Sequence, residues 1–225
     1  MTPQEIQSRV LYKDRLILVI NKPAGLPVHA GPGGGPNLEA SFHHLCFEHP
    51  RAPGLAHRLD RDTSGCLVLG RHHKGLKRMG KLFQQGKVGK IYWAVCTAAP
   101  EQESGTVSLP LRKMTPNGGW RMVVDPKEGQ ESITDYRVLG RSRDGMAWIE
   151  CRPRTGRTHQ IRVHMAAIGA PLLGDPLYGQ ADRRAMHLHS RSVTIPLYAE
   201  KPPITVDAPP PAHMVQALRA CGWDG

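Results

Sequence analysis

An α+β fold around a mainly antiparallel sheet is the class this sequence predicts. Three observations lead there: many short apolar runs of strand character, few helical patterns, and no regular strand–helix alternation. Short turns containing Gly, Pro or Asn join several of the runs, which favours antiparallel connections. Leu16-Ile17-Leu18-Val19-Ile20 predicts a strand at 16–21, and Leu38 to Phe47 a helix. The apolar run at 66–70 predicts a strand. Residues 74–85 predict a helix with Leu76, Met79, Leu82 and Phe83 on one face. Strands follow near 88–97, 105–109, 121–125, 132–140 and 146–152. Thr158 is expected to cap a helix that runs to Ile168 and stops at Gly169, with Ile161, Met165 and Ile168 on one face and His159 and Arg162 on a neighbouring one. Strand patterns return near 186–195 and 203–207, and Pro209-Pro210-Pro211 breaks the chain before a last helix at 212–221. Without an internal repeat or a linker, the 225 residues read as a single domain.

Composition narrows the function classes. The chain carries a net charge of +11, 40% hydrophobic residues and a mean hydropathy of −0.39. No apolar run approaches a membrane span, and no basic-then-apolar leader is visible, so a cytoplasmic protein is expected. Five cysteines without close pairing fit a reduced compartment. The positive balance favours a polyanionic partner. It is also clustered: Arg71, Lys74, Lys77, Arg78, Lys81, Lys87 and Lys90 lie in an acid-free stretch, and Arg152, Arg154, Arg157 and Arg162 in another. One such cluster is ordinarily a solvated face; two beside candidate active-site segments point to RNA. The loop Gly31 to Asn37 is not followed by Gly-Lys-Ser or Gly-Lys-Thr, which argues against a phosphate-cradling P-loop.

The densest chemistry lies in His57-Arg58-Leu59-Asp60-Arg61-Asp62-Thr63-Ser64-Gly65, directly before the apolar run Cys66 to Leu69. It sets two carboxylates among two arginines and a histidine on a loop at the edge of a buried strand. Arginine partners lower the cost of holding a carboxylate near a core, and a positioned aspartate can serve as nucleophile, base or metal ligand. This segment resembles the signature of the RluA-type RNA pseudouridine synthases. Leu18 to Leu26 resembles that family's NKPxGL segment, Lys90 to Val95 its KxYxAxV strand, and Arg157 to His164 its RxHQIRVH segment; Gly174 to Gly179 and Leu188-His189 follow in the same order. The segments span about residues 10 to 210.

The resemblance implies a mixed, largely antiparallel catalytic domain with a central RNA-binding cleft and, since the first segment begins near residue 10, a catalytic-domain-only member without an S4-type domain. It implies isomerisation of uridine to pseudouridine in large-subunit ribosomal RNA, transfer RNA or both, with no cofactor; a monomer is the default where the sequence leaves oligomeric state open. By the same resemblance Asp60 is the catalytic aspartate, Arg162 the arginine that pairs with it, Tyr92 the tyrosine near the uracil, and Arg58 the arginine that fills the gap left by a flipped base. Lys22, His159, Gln160, Arg154 and Arg157 are further candidates for the substrate surface, while Asp175 and Tyr178 read as turn and packing residues. Each has a plainer alternative: an Asp–Arg pair holding the loop for Asp60, a strand aromatic in the core for Tyr92, a surface arginine for Arg162, an ion pair for Arg58. Asp62 is the rival carboxylate within the signature.

The twelve histidines raise a metal hypothesis, but none of His43, His44, Cys46, His49, His72, His73, His187 and His189 has zinc-finger or HExxH spacing, and adjacent His43 and His44 are expected to point apart. No metal site is therefore expected. Two other functions compete: an RNA-binding or ribosome-assembly factor without turnover, which has no need of Asp60, Tyr92 and Arg162 together, and metal-dependent RNA hydrolysis, which lacks a ligand cluster.

Overall fold

The computed structural model describes residues 1–31, 34–115, 119–180 and 183–225; Pro32 and Gly33 of the glycine-rich loop lie outside the described residues. In chain order the elements are α1 (Pro3–Gln7), β1 (Val10–Lys13), β2 (Ile17–Lys22), a 3-10 helix (Glu39–Leu45), β3 (Gly54–Leu55), β4 (Ser64–Gly70), α2 (His73–Gln84), β5 (Gly89–Cys96), β6 (Ser104–Ser108), β7 (Leu111–Met114), β8 (Arg121–Val124), β9 (Ile133–Arg141), β10 (Ala147–Pro153), α3 (Gln160–Ala167), β11 (Leu188–Ile195), β12 (Ile204–Asp207) and α4 (Ala212–Ala220). They form two compact units, Met1–Lys90 with Ser190–Pro211, and Ile91–His189 with Ala212–Gly225. The class is α+β. No helix among the described residues is long and apolar enough to cross a membrane.

In the first unit the strands run in the order β1-β2-β4-β11, with β3 paired to β4 and β12 to β11. β2 lies antiparallel to β4, Ile17 opposite Gly70 and Lys22 opposite Gly65. All seven residues of β4 are buried, which is why this strand reads as an unbroken apolar run rather than an alternating one. Ile17, Val19, Cys66, Val68, Val193 and Ile195 form its core with Met79 of α2. The face expected from the sequence is the one α2 buries: Leu82 and Phe83 pack beside Met79. Gly75 allows this close seat, since a Cβ there would stand 2.2 Å from the Leu16 carbonyl oxygen. The helix expected at 38–47 is a 3-10 helix instead. Its buried side chains recur at a spacing of three, Leu38 with Ser41 and Phe42 with Leu45, and the tighter helix stacks such pairs.

The second unit is an antiparallel sheet in the order β5-β10-β9-β6, with β7 and β8 as a separate ribbon. Ala94, Cys96, Ile149 and Cys151 from the sheet meet Ile161 and Met165 from α3 in its core. Thr158 does not cap α3; the cap position is His159, in the left-handed region at φ 54°, and no side chain caps there. The Gln160 side chain instead ties the first residue of the helix back to the preceding turn, accepting the Arg157 N–H at 3.0 Å and the Thr155 hydroxyl at 2.7 Å. Gly169, at φ 77°, ends the helix where expected.

Candidate active site

The first unit carries the Asp60 loop. The Asp60 carbonyl accepts the Thr63 N–H at 3.2 Å, closing a turn, and the Arg61 Nε donates to Asp62 at 3.1 Å. Asp60 is half-buried, and Arg58 is exposed beside it. Lys22 fixes this turn from below. Its ammonium is fully buried and donates to the carbonyls of Pro23 (2.7 Å), Leu26 (2.7 Å) and Arg61 (2.9 Å). Three N–H donors thus meet three carbonyls, one of them between the two signature aspartates. Burial lowers the Lys22 pKa to about 8, and the charges of Asp62 and Asp60 oppose that fall. Expected to line a cleft, Lys22 instead joins the NKPxGL turn to the signature loop by its charge.

His57 anchors the other side. Its Nε2 accepts the Val68 N–H at 2.9 Å, which requires the neutral ring with its proton on Nδ1. The ring lies 4.6 Å from that of Phe83 on α2. Burial and the charge of Lys90 push its pKa down to about 4. The loop therefore hangs between a buried lysine and a neutral histidine. Gly65 then takes φ 105°, and a Cβ there would stand 2.2 Å from the Ser190 carbonyl oxygen.

The second unit carries Tyr92, Arg154, Arg157, His159, Gln160 and Arg162. Tyr92 sits on β5 opposite Cys151 of β10, half-buried against the core. Arg162 is buried on α3 and forks onto Asp175, Nε to Oδ2 and Nη2 to Oδ1, both at 2.7 Å. Asp175 is fully buried and also accepts the N–H groups of Leu177 and Tyr178. Burial alone would raise its pKa, but the Arg162 guanidinium and these two donors outweigh burial and hold it below the usual carboxylate range. Asp175 is thus the turn residue foreseen, and also the carboxylate that orients Arg162 in this unit. The guanidinium lies 5.0 Å from the Tyr178 ring.

Gln160 and His164 form a satisfied buried network. The Gln160 amide donates to the Ile133 carbonyl and the Thr134 hydroxyl, both at 2.9 Å; the Thr134 hydroxyl meets His164 Nδ1 at 2.9 Å, and His164 Nε2 meets the Leu109 carbonyl at 3.0 Å. That chain is consistent with a neutral His164, whose pKa burial lowers. Gln160 is therefore a strut between the 155–157 turn and β9. Arg157 donates to the Glu131 carbonyl at 3.1 Å, and Arg154 forks onto Asp135 at 2.7 and 2.8 Å.

One arrangement has no counterpart in the sequence reading. His159 meets the Tyr178 hydroxyl at 2.9 Å and stacks on Trp120, ring centroids 4.9 Å apart, with Lys113 5.0 Å from the Trp120 centroid. Trp120 is 42% exposed. Its signal was a lone tryptophan directly after Gly118-Gly119, weak without a partner. His43 and His44 correct another expectation: their rings lie 3.7 Å apart, because helical spacing separates Cβ atoms while each ring still turns about its own χ angles. Among the described residues no three His, Cys, Asp or Glu side chains gather in a metal-binding group.

Comparison with known proteins accords with this arrangement. The family model for RNA pseudouridylate synthases matches residues 16–167. An uncharacterised RNA pseudouridine synthase of Zymomonas mobilis is 43% identical over 213 residues, covering 92% of this chain and 95% of that protein. Ribosomal large subunit pseudouridine synthase D of Xanthomonas campestris is 36% identical over 245 residues, covering 99% and 72%. Among solved structures, human RNA pseudouridylate synthase domain containing 4 superposes with a TM-score of 0.80 at 26% identity, covering 97% of this chain and 94% of that one. The ordered segments, the fold and these likenesses agree: the chain belongs to the RNA pseudouridine synthases, which are isomerases.

Proposed function

We propose that this chain converts specific uridines of structured RNA, in the large ribosomal subunit, in transfer RNA or in both, to pseudouridine through Asp60. The observation that carries the reading is the turn around Asp60, held by the buried Lys22 ammonium through the Arg61 carbonyl at 2.9 Å and closed by the Thr63 N–H. A carboxylate on a pinned turn meets the reacting nucleotide in a fixed geometry. The reaction breaks the bond between N1 and C1′, turns the uracil and joins C5 to C1′; C5 loses a proton and N1 gains one. Nothing is oxidised and no group is imported, so side chains alone suffice. Attack by Asp60 at C6, attack at C1′ and proton removal from C2′ each use the same carboxylate.

Tyr92 accepts the C5 proton in this reading, and Arg162, oriented by Asp175, is the arginine that the family resemblance pairs with the catalytic aspartate. Arg58 takes the place of the uridine turned out of its stack, a role its exposure supports. Arg154, Arg157 and His159 contribute to the RNA-facing surface. The net charge of +11 supports a polyanionic substrate. Five free cysteines suit a reducing cytoplasm. The test is release of tritium from RNA labelled at uridine C5, in EDTA and without cofactor. The proposal expects stoichiometric release; release abolished by chelation would contradict it.

A further inference from the structure

We infer that one face of α2 is a docking track for the RNA backbone that flanks the target nucleotide, apart from the residues that handle the uridine. This rests on the reading of the chain as an RNA-modifying enzyme. Lys74, Lys77, Arg78 and Lys81 stand at steps of three, one and three, so they line a single stripe of α2, and all four are exposed. The stripe is about 10 Å long, the reach of about three phosphates along one strand. α2 contains no Asp or Glu, and none of the four takes part in an ion pair among the described residues. Like charges at helical spacing repel, so the stripe works against its own helix unless an outside anion answers it.

The rest of the helix is built to hold that stripe still. Gly75 abuts the Leu16 carbonyl, Met79 is fully buried, and Leu82 and Phe83 pack in the core. The stripe widens through Tyr198, whose hydroxyl donates to Asp14 at 2.8 Å and whose ring has Arg78 and Lys201 each 5.5 Å from its centroid. It also has a direction. Phe83, one turn beyond Met79, touches the His57 ring, and His57 precedes Arg58 and Asp60 by one and three residues. A strand of RNA lying along α2 from Lys74 toward Lys81 is led to the signature loop.

The test compares two four-site variants of the full chain with equal loss of charge. One is Lys74→Gln, Lys77→Gln, Arg78→Gln and Lys81→Gln; the other, a control, is Lys127→Gln, Arg143→Gln, Arg183→Gln and Arg219→Gln. Binding to unmodified ribosomal and transfer RNA transcripts is measured across a series of potassium chloride concentrations. The stripe variant is expected to lower the slope of log affinity against log salt by about 2 to 3, near 0.7–0.9 for each of about three lost phosphate contacts, and the control by less than 1. In the tritium assay the stripe variant raises KM and spares kcat. The pairs Lys74→Gln with Lys77→Gln and Arg78→Gln with Lys81→Gln each give about half the slope change, which guards against a folding artefact. Equal effects of the two four-site variants, or an unchanged slope in the stripe variant, would overturn the inference. So would a loss confined to binding of phosphatidylserine vesicles, which would assign the stripe to a membrane surface. Wild-type protein that binds RNA through the stripe yet releases no tritium would instead sink the isomerase reading and leave the track standing.

Discussion

Lys22 buries its ammonium completely, and three carbonyls answer it. Replacing it by methionine keeps the bulk and strands those acceptors, each left unsatisfied at about 1–3 kcal/mol. Lys22→Met is therefore expected to lose at least about 3 kcal/mol of stability in urea unfolding. Lys22→Arg should rescue little, because a planar fork does not replace a point donor among three converging carbonyls. A Lys22→Arg protein with wild-type stability would contradict this geometry. His57 gives a pH-dependent counterpart. Its folded pKa of about 4 lies below the ordinary 6.5, so the unfolded chain takes up the proton first as pH falls. The stability tied to the neutral ring is whole above about pH 6.5 and is lost progressively down to about pH 4, up to about 3 kcal/mol. His57→Gln, which can still accept the Val68 N–H, should remove that part of the pH dependence. Parallel profiles for the two proteins would count against a neutral His57. At this scale the sequence named the signature residues but not their supports. Nothing local in NKPxGL says that the lysine faces inward toward Arg61, since that contact spans 39 residues of chain.

Elements were more legible than their partners. β2, β4, α2, β5, β9, β10 and α4 lie where the apolar pattern put them. α1, β1, β3 and β7 were missed: each has two to five residues, and β7 is half charged on an exposed ribbon, so no period could emerge. The left-handed His159 was equally hidden, since the contacts its ring makes, to Tyr178 and Trp120, come from distant parts of the chain. The start of β4 gives the prediction at this scale. Gly65 combines φ 105° with a backbone only 2.2 Å from a would-be Cβ, and it pairs with Lys22 across the β2–β4 ladder. Gly65→Ala must either strain its own backbone or displace Ser190, and both disturb the turn that presents Asp60. We expect a loss of about 3 kcal/mol or more, together with a fall in turnover in the variant fraction that remains folded. A Gly65→Ala protein equal to wild type in thermal unfolding and tritium release would contradict the account.

For the whole molecule, class and chemistry were readable because they depend on order and balance rather than contact: signature segments in sequence along the chain, and a charge of +11. The division into Met1–Lys90 with Ser190–Pro211 and Ile91–His189 with Ala212–Gly225 left no compositional mark where the chain changes unit two residues into β5 and two into β11; the third change, at Ala212, follows the proline run that breaks the chain before α4. The central claim is that Asp60, in the first unit, does the chemistry that this fold serves. Wild-type and Asp60→Asn proteins should be incubated with unmodified ribosomal and transfer RNA, without metal or cofactor, and the RNA then treated with carbodiimide and read by reverse transcription. The account predicts discrete new stops at uridines with wild type, none with Asp60→Asn, and RNA affinity within about threefold between the two, since this substitution removes one of many contacts. Stops that persist with Asp60→Asn would move the chemistry to another residue, Asp62 first, and contradict the account.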